Sequence, residues 1–130
     1  MNFPENLKYT KEHEWISVEG NVGTVGITDY AQKQLGDVVY VTMTKDIGSQ
    51  VSQGEDAAEI ESVKSVSQIF TPVSGEILEF NKIFEDETKS GIVNEDPYNA
   101  GWIFKIKISN LSDIDSLLSE SQYNDYIKNL

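Results

Sequence analysis

Glu61-Ser62-Val63-Lys64-Ser65-Val66-Ser67-Gln68-Ile69-Phe70 is the stretch on which the reading of this chain turns. Ala57 to Ile60 lead into it and Val66 to Phe70 lead out, both as short strand-like runs. Lys64 therefore falls on a tight turn between two strands. Thr71-Pro72-Val73-Ser74-Gly75-Glu76-Ile77 follows as a second turn and a further strand. The default meaning of a lysine is a solvated surface charge. A lysine held out on a turn between strands is also what an enzyme needs to attach a swinging cofactor, and the rest of the chain decides between the two.

Period-two alternation recurs on both sides of this turn. In Trp102-Ile103-Phe104-Lys105-Ile106-Lys107-Ile108 the even positions are apolar and Lys105 and Lys107 face water, the pattern of a half-buried strand with Trp102 inward beside Phe104. Val38 to Met43 is apolar on both faces and reads as a central strand. His13 to Val18 and Asn21 to Ile27 read as a hairpin turning at Glu19-Gly20. Gly48 and Gly54 bracket a loop around Val51. A short helix is expected over Asp29 to Leu35, capped by Thr28 and ended by Gly36. In the C-terminal region, about 112–128, Ser112 and Asp115 have capping-box form. Ile114, Leu117 and Leu118 are expected on one face there, and Tyr123, Tyr126 and Ile127 repeat the spacing in a last helix. The fold class is mostly β and antiparallel, with one helix after the first hairpin and helices at the C-terminus, in a single domain spanning 1–130.

Composition removes several function classes. The 130 residues carry a formal net charge of −12 and a pI near 4.3, which opposes nucleic acid and anionic membrane surfaces. Such a surface suits partners with basic rims. There is no cysteine, hence no disulfide framework, thiol nucleophile or thiolate metal site. His13 is the one histidine, which leaves no base for a nucleophilic triad. Phosphate-loop, dinucleotide and Gly-x-Ser-x-Gly motifs are missing. Glu85-Asp86-Glu87 lacks calcium-loop spacing and reads as a solvated loop, so no metal is expected. A carboxylate pair carries no local motif, so among 22 acidic residues that one enzymatic reading stays open. The N-terminus has neither signal-peptide nor transit-peptide character, so the expected compartment is the cytoplasm, although a processed mitochondrial protein would look the same.

The ordered motifs then point to one family. They are Lys8-Tyr9-Thr10-Lys11-Glu12-His13-Glu14-Trp15, Gly26-Ile27-Thr28-Asp29-Tyr30-Ala31-Gln32, Leu35-Gly36-Asp37-Val38-Val39 and Glu61-Ser62-Val63-Lys64. Pro72-Val73-Ser74-Gly75-Glu76, Val93-Asn94-Glu95-Asp96-Pro97-Tyr98 and Gly101-Trp102 complete the series. In this order and spacing the chain resembles the H protein of the glycine cleavage system. Biotin carriers fit less well, because no methionine flanks Lys64. Lipoyl domains of 2-oxoacid dehydrogenases are shorter and resemble Asp-Lys-Ala at the turn.

The resemblance implies a flattened antiparallel β barrel or sandwich of the lipoyl-carrier type, with lipoate in amide linkage to Lys64. It implies a non-catalytic, monomeric carrier. Such a carrier takes the aminomethyl group of glycine from a pyridoxal-phosphate glycine decarboxylase (P protein) to a tetrahydrofolate-dependent aminomethyltransferase (T protein). A dihydrolipoamide dehydrogenase (L protein) then reoxidises it, and lipoate-attaching enzymes load it. A related role is donation of the lipoyl group to 2-oxoacid dehydrogenase complexes. The resemblance also implies a cleft for the arm, to which Glu14, His13, Gln34 and Gln68 correspond. Glu14 would favour a cationic amine there. Gln34 stands where some relatives have histidine, Gln68 where an acidic residue is common, and Asn99-Ala100 where a glycine and an acidic residue are usual.

Overall fold

The computed structural model describes residues 6–130. Among the described residues nine strands form two antiparallel sheets: β1 (Leu7–Tyr9), β2 (Glu14–Glu19), β3 (Val22–Ile27), β4 (Val38–Met43), β5 (Gln50–Val51), β6 (Asp56–Ser62), β7 (Val66–Phe70), β8 (Gly75–Phe80) and β9 (Phe104–Ile108). The larger sheet has the order β1-β2-β3-β9-β8-β5 and the smaller the order β4-β6-β7. Helices α1 (Asp29–Leu35), α2 (Ile92–Glu95) and α3 (Glu120–Lys128) are joined by short 3₁₀ turns at Lys82–Glu85, Glu87–Lys89 and Leu111–Ser116. The expected mostly-β, two-layer architecture is therefore present. No helix among the described residues is long and apolar enough to cross a membrane.

The first hairpin follows from its turn chemistry. Glu19 pairs with Val22, leaving Gly20-Asn21 as a two-residue loop, and Gly20 has φ 63°, a backbone region that costs glycine nothing. Helix α1 begins as expected: the Thr28 hydroxyl accepts the Ala31 N–H, and Gly36 ends the helix at φ 78° with its own N–H on the Gln32 carbonyl. Alternation in β9 buries Phe104, Ile106 and Ile108 and leaves Lys107 exposed.

The main core lies between the two sheets. Ile16, Val25, Ile27, Ile77, Phe104 and Ile106 from the larger sheet meet Val41, Ala58, Ile60 and Ile69 from the smaller. A second cluster of Leu7, Tyr9, Trp15 and Tyr123 lies beneath α3, with Tyr98, Trp102, Leu118, Tyr126 and Ile127 packed around it. Strand β2 serves both: Ile16 faces the first cluster and Trp15 the second, its indole N–H donating to the Pro97 carbonyl at 3.0 Å. Gly26, opposite Trp15, leaves the space the indole fills, since a Cβ there would lie 2.7 Å from the ring.

Five sequence expectations change. Strand β4 is an edge strand, not a central one; Val39 and Tyr40 are 42% and 40% exposed, and a bulge between Val38 and Tyr40 turns both out. Trp102 lies before β9 and packs half-buried in the second cluster with Lys105 Nζ 5.1 Å from its ring, so Ile103 is buried instead. The capping box is not at Ser112. Asn110 caps the 3₁₀ turn there, while Ser119 and Gln122 form a reciprocal box at the start of α3. Because the intervening chain is not α-helical, Ile114 and Leu117 pack on the main core and Leu118 on the second cluster. Val51 belongs to the short edge strand β5, paired with β8.

Burial predicts sharply different costs for two apolar side chains near the Lys64 turn. Ile60 is fully buried and Val63 is 67% exposed. Ile60→Ala is expected to lower stability by about 2–5 kcal/mol, and Val63→Ala by less than about 0.5 kcal/mol, as measured by urea unfolding.

Candidate functional site

Strands β6 and β7 pair from Asp56↔Phe70 to Glu61↔Val66, and Val63-Lys64 form the tip between Ser62 and Ser65. None of these four residues has positive φ, so the turn does not rely on glycine. Ser62 supplies the missing organisation. Its N–H donates to the Ser65 carbonyl at 2.8 Å, and its hydroxyl oxygen accepts the N–H groups of Lys64 at 3.2 Å and Ser65 at 3.1 Å. Ser62 is buried while Val63, Lys64, Ser65 and Val66 are exposed, so the tip projects from a fixed base.

The tip is also tied sideways. The Val63 N–H donates to the Asp37 carbonyl at 3.0 Å, fastening the turn to the junction between α1 and β4. Asn94 of α2 holds that junction. Its Oδ1 accepts the Val38 N–H at 2.9 Å, and its Nδ2 donates to the Gly36 carbonyl at 2.8 Å and to Gln32 Oε1 at 3.0 Å. Gly36 leaves room for the lysine: a Cβ there would lie 2.8 Å from Lys64 Cε. The lysine stem thus lies across the end of α1.

A cleft of about 290 Å³ opens beside the turn, lined by Ile27, Ala31, Leu35, Val66 and Ile69 with polar groups from Glu12, His13, Gln34, Ser65 and Ser67. Its walls are α1, the β1–β2 turn and the start of β7. The structure brings His13 and Gln34 to this cleft. Glu14 and Gln68 do not line it. Gln68 is exposed on the outward face of the smaller sheet, opposite Glu59, and donates from Nε2 to Glu59 Oε2 at 2.9 Å. The alternation of β7 points its neighbour Ser67 towards the cleft instead.

Glu14 is 1% exposed and lies between the sheets. Thr10 Oγ1 accepts the N–H groups of Glu12 and Glu14 and donates to Glu14 Oε1 at 2.5 Å, while the Phe70 N–H of β7 reaches Oε2 at 3.2 Å. Glu14 therefore couples β2 of one sheet to β7 of the other. Burial raises its pKa to about 7, against the opposing effect of the Thr10 and Phe70 hydrogen bonds. His13 is half-buried with φ 71°, and its pKa is lowered by burial, opposed by Glu12. Asn94, Ser62 and Tyr123, whose hydroxyl lies 2.9 Å from His13 Nδ1, support the site without any local sequence signal for those roles. Of the three, only Ser62 neighbours Lys64 in the chain.

Comparison with known proteins follows the same lines. A family model described as Glycine cleavage H-protein matches residues 7–130. The glycine cleavage system H protein of Acinetobacter baumannii is 50% identical over 123 residues, covering 95% of this chain and 97% of that one. That of Bacteroides fragilis is 50% identical over 123 residues and 95% of each chain. The crystal structure of a glycine cleavage system H protein from Mycobacterium marinum superposes with a TM-score of 0.84 at 34% identity, covering 98% of this chain and all of that one. The class defined is a small carrier protein built on two β sheets. The chain belongs to the glycine cleavage H-protein family, a family of lipoyl carriers.

The buried carboxyl of Glu14 predicts a pH effect of definite sign. Its folded pKa of about 7 lies above the ordinary glutamate value of about 4.5, so the folded state holds the proton more tightly. Stability contributed by Glu14 is fully present below about 4.5, falls as pH rises towards about 7 and is level above that, with a total loss on the order of 3 kcal/mol. The depressed pKa of His13 acts in the opposite direction. The Glu14 part is therefore read from the difference between wild type and Glu14→Gln in urea unfolding across this range, and the variant is expected to lack the decline.

Proposed function

We propose that this protein is the non-catalytic lipoyl carrier of a glycine cleavage system, with lipoate in amide linkage to Lys64 Nζ. On this reading it carries the aminomethyl group of glycine from a pyridoxal-phosphate glycine decarboxylase to a tetrahydrofolate-dependent aminomethyltransferase. A dihydrolipoamide dehydrogenase returns it to the oxidised state, and lipoate-attaching enzymes load it. It acts as a monomer in the cytoplasm.

The observation that carries the reading is the position of Lys64: the exposed apex of a turn whose base is fixed by Ser62 and Asp37, in a chain of this family. Bound there, lipoate supplies a ring disulfide at the end of an apolar chain. The residues around Lys64 fit such a group. Val63 and Ser65 are small enough to leave the amine open to a loading enzyme. Gly36 lets the lysine stem pass across the end of α1, and the apolar side of the cleft begins one residue beyond the turn at Val66. His13 and Gln34 give that cleft polar groups, and Ile27, Leu35 and Ile69 limit water in it. Glu14 and Gln68, which the resemblance also pairs with the cleft, lie outside its lining, Glu14 between the sheets on the Phe70 N–H and Gln68 on the outer face of β7 beside Glu59. Tethering through a fixed turn keeps the local concentration of the arm high at each enzyme that docks.

Intact mass of the protein made in a lipoylating host tests the assignment. Wild type is expected to gain the mass of one lipoyl amide and Lys64→Arg none, with the fold of the exposed-site variant unchanged within about 0.5 kcal/mol. An adduct that persists on Lys64→Arg would refute it.

A further inference from the structure

Tyr123 is fully buried on α3, yet its hydroxyl reaches two walls of the cleft. It lies 2.7 Å from Thr28 Oγ1 and 2.9 Å from His13 Nδ1. Thr28 is the N-cap of α1, the helix that contributes Ala31, Gln34 and Leu35 to the cleft, and His13 lines the cleft from the β1–β2 turn. These two walls also share a main-chain hydrogen bond, Thr28 N–H to the His13 carbonyl at 3.0 Å. Three segments distant in sequence therefore meet at one phenol oxygen. Helix α3 itself contributes no residue to the cleft lining.

Two further features indicate that this contact shapes the cleft. His13 holds a left-handed backbone, φ 71°, which a side-chain-bearing residue keeps only when its surroundings fix it. The ring of Tyr123 is fixed in turn, stacked on Tyr9 with centroids 4.8 Å apart and planes 12° from parallel. Thr28 Oγ1 accepts the Ala31 N–H and has a second lone pair, so the Tyr123 hydroxyl either donates to Thr28 and accepts from His13 Nδ1–H or accepts from Thr28 and donates to His13 Nδ1; both arrangements hold the imidazole in a single tautomer.

We propose that the C-terminal helix is a strap that sets the shape of the cleft beside Lys64, with Tyr123 as the positioning residue that holds His13 and the first turn of α1 from behind. This rests on the reading of Lys64 as the bearer of a lipoyl arm, and adds that the arm's resting place depends on a residue outside it.

His13 is the only histidine, so its ring nitrogens report without ambiguity in long-range proton–nitrogen spectra of the unmodified protein. Wild type is expected to show a single dominant tautomer, selected by the Tyr123 hydroxyl. Tyr123→Phe keeps the ring on Tyr9 but removes the hydroxyl; it is expected to give a mixture of tautomers and to move the amide resonances of Ala31, Leu35 and Ser67. In lipoylated protein, with loading verified by intact mass, the same variant is expected to speed reduction of the ring disulfide by a phosphine about threefold to tenfold, the span of one hydrogen bond. Thr28→Ser retains a hydroxyl and Tyr126→Phe alters a ring 6.0 Å from His13; both are expected to match wild type in both readouts. A mixture of tautomers in wild type would overturn the proposal, and that measurement stands whether or not Tyr123→Phe folds. So would a folded, loaded Tyr123→Phe reduced at the wild-type rate, which would leave the tyrosine a staple for α3 alone. If Lys64 takes no lipoate, the carrier reading fails, while the histidine and cleft-amide shifts still decide what Tyr123 holds.

Discussion

The hydrogen bond from the Val63 N–H to the Asp37 carbonyl is the constraint on which the functional end of this molecule depends. A two-stranded hairpin projecting from a sheet is marginally ordered by itself. Here its tip is fastened to a second part of the chain, and that part is held by Asn94, whose side chain uses its oxygen and both amide hydrogens on Val38, Gly36 and Gln32. A lysine with a free stem thus sits on a base that has little freedom of its own. The division suits a tethered group: motion belongs to the arm and not to the backbone that directs it.

Between the sheets a different economy operates. Glu14 occupies a position an apolar residue would fill at less cost, because burying a carboxyl disfavours its charge. Its reward is connection: Thr10 and Phe70 both donate to it, joining the β1–β2 turn to β7 across the gap between sheets. A valine there would pack but would leave the Phe70 N–H without this acceptor. The cleft lies at this end of the sandwich, where α1, the β1–β2 turn and β7 come together and cannot all be joined by ladder hydrogen bonds. Side chains such as Glu14, Thr28 and Tyr123 make those connections instead.

Legibility in the sequence followed the range of the interaction. The first hairpin, α1 with both its caps, the alternation of β9 and the Lys64 turn were readable because each is set by residues within a few positions of one another. Strand β4 was misplaced because an apolar run on both faces means a central strand only when nothing else covers or exposes it; the bulge at Val39 is a register effect with no local mark. The capping-box pattern fits at Ser112, whereas the chain makes a 3₁₀ turn there and forms the box at Ser119. Of the site, Lys64 and His13 lie within motifs, whereas Gln34 falls between two motifs and comes only from the resemblance. Asn94 appeared within a motif, but its role depends on partners 56 to 62 residues away. Tyr123 was readable only as packing, since its hydroxyl partners lie 95 and 110 residues away.

The bulge in β4 has a consequence for how such a protein lives among others. The smaller sheet ends in strands β4 and β7, and the edge of a short sheet offers unpaired backbone groups to any extended chain nearby. At Val39 the extra residue breaks the regular spacing of those groups just where the apolar side chains Val39 and Tyr40 are exposed. Strand addition by a second copy would meet a mismatch there. The exposed apolar side chains can then serve brief, reversible side-chain contacts, while the irregular backbone resists the lasting ones that lead to fibres.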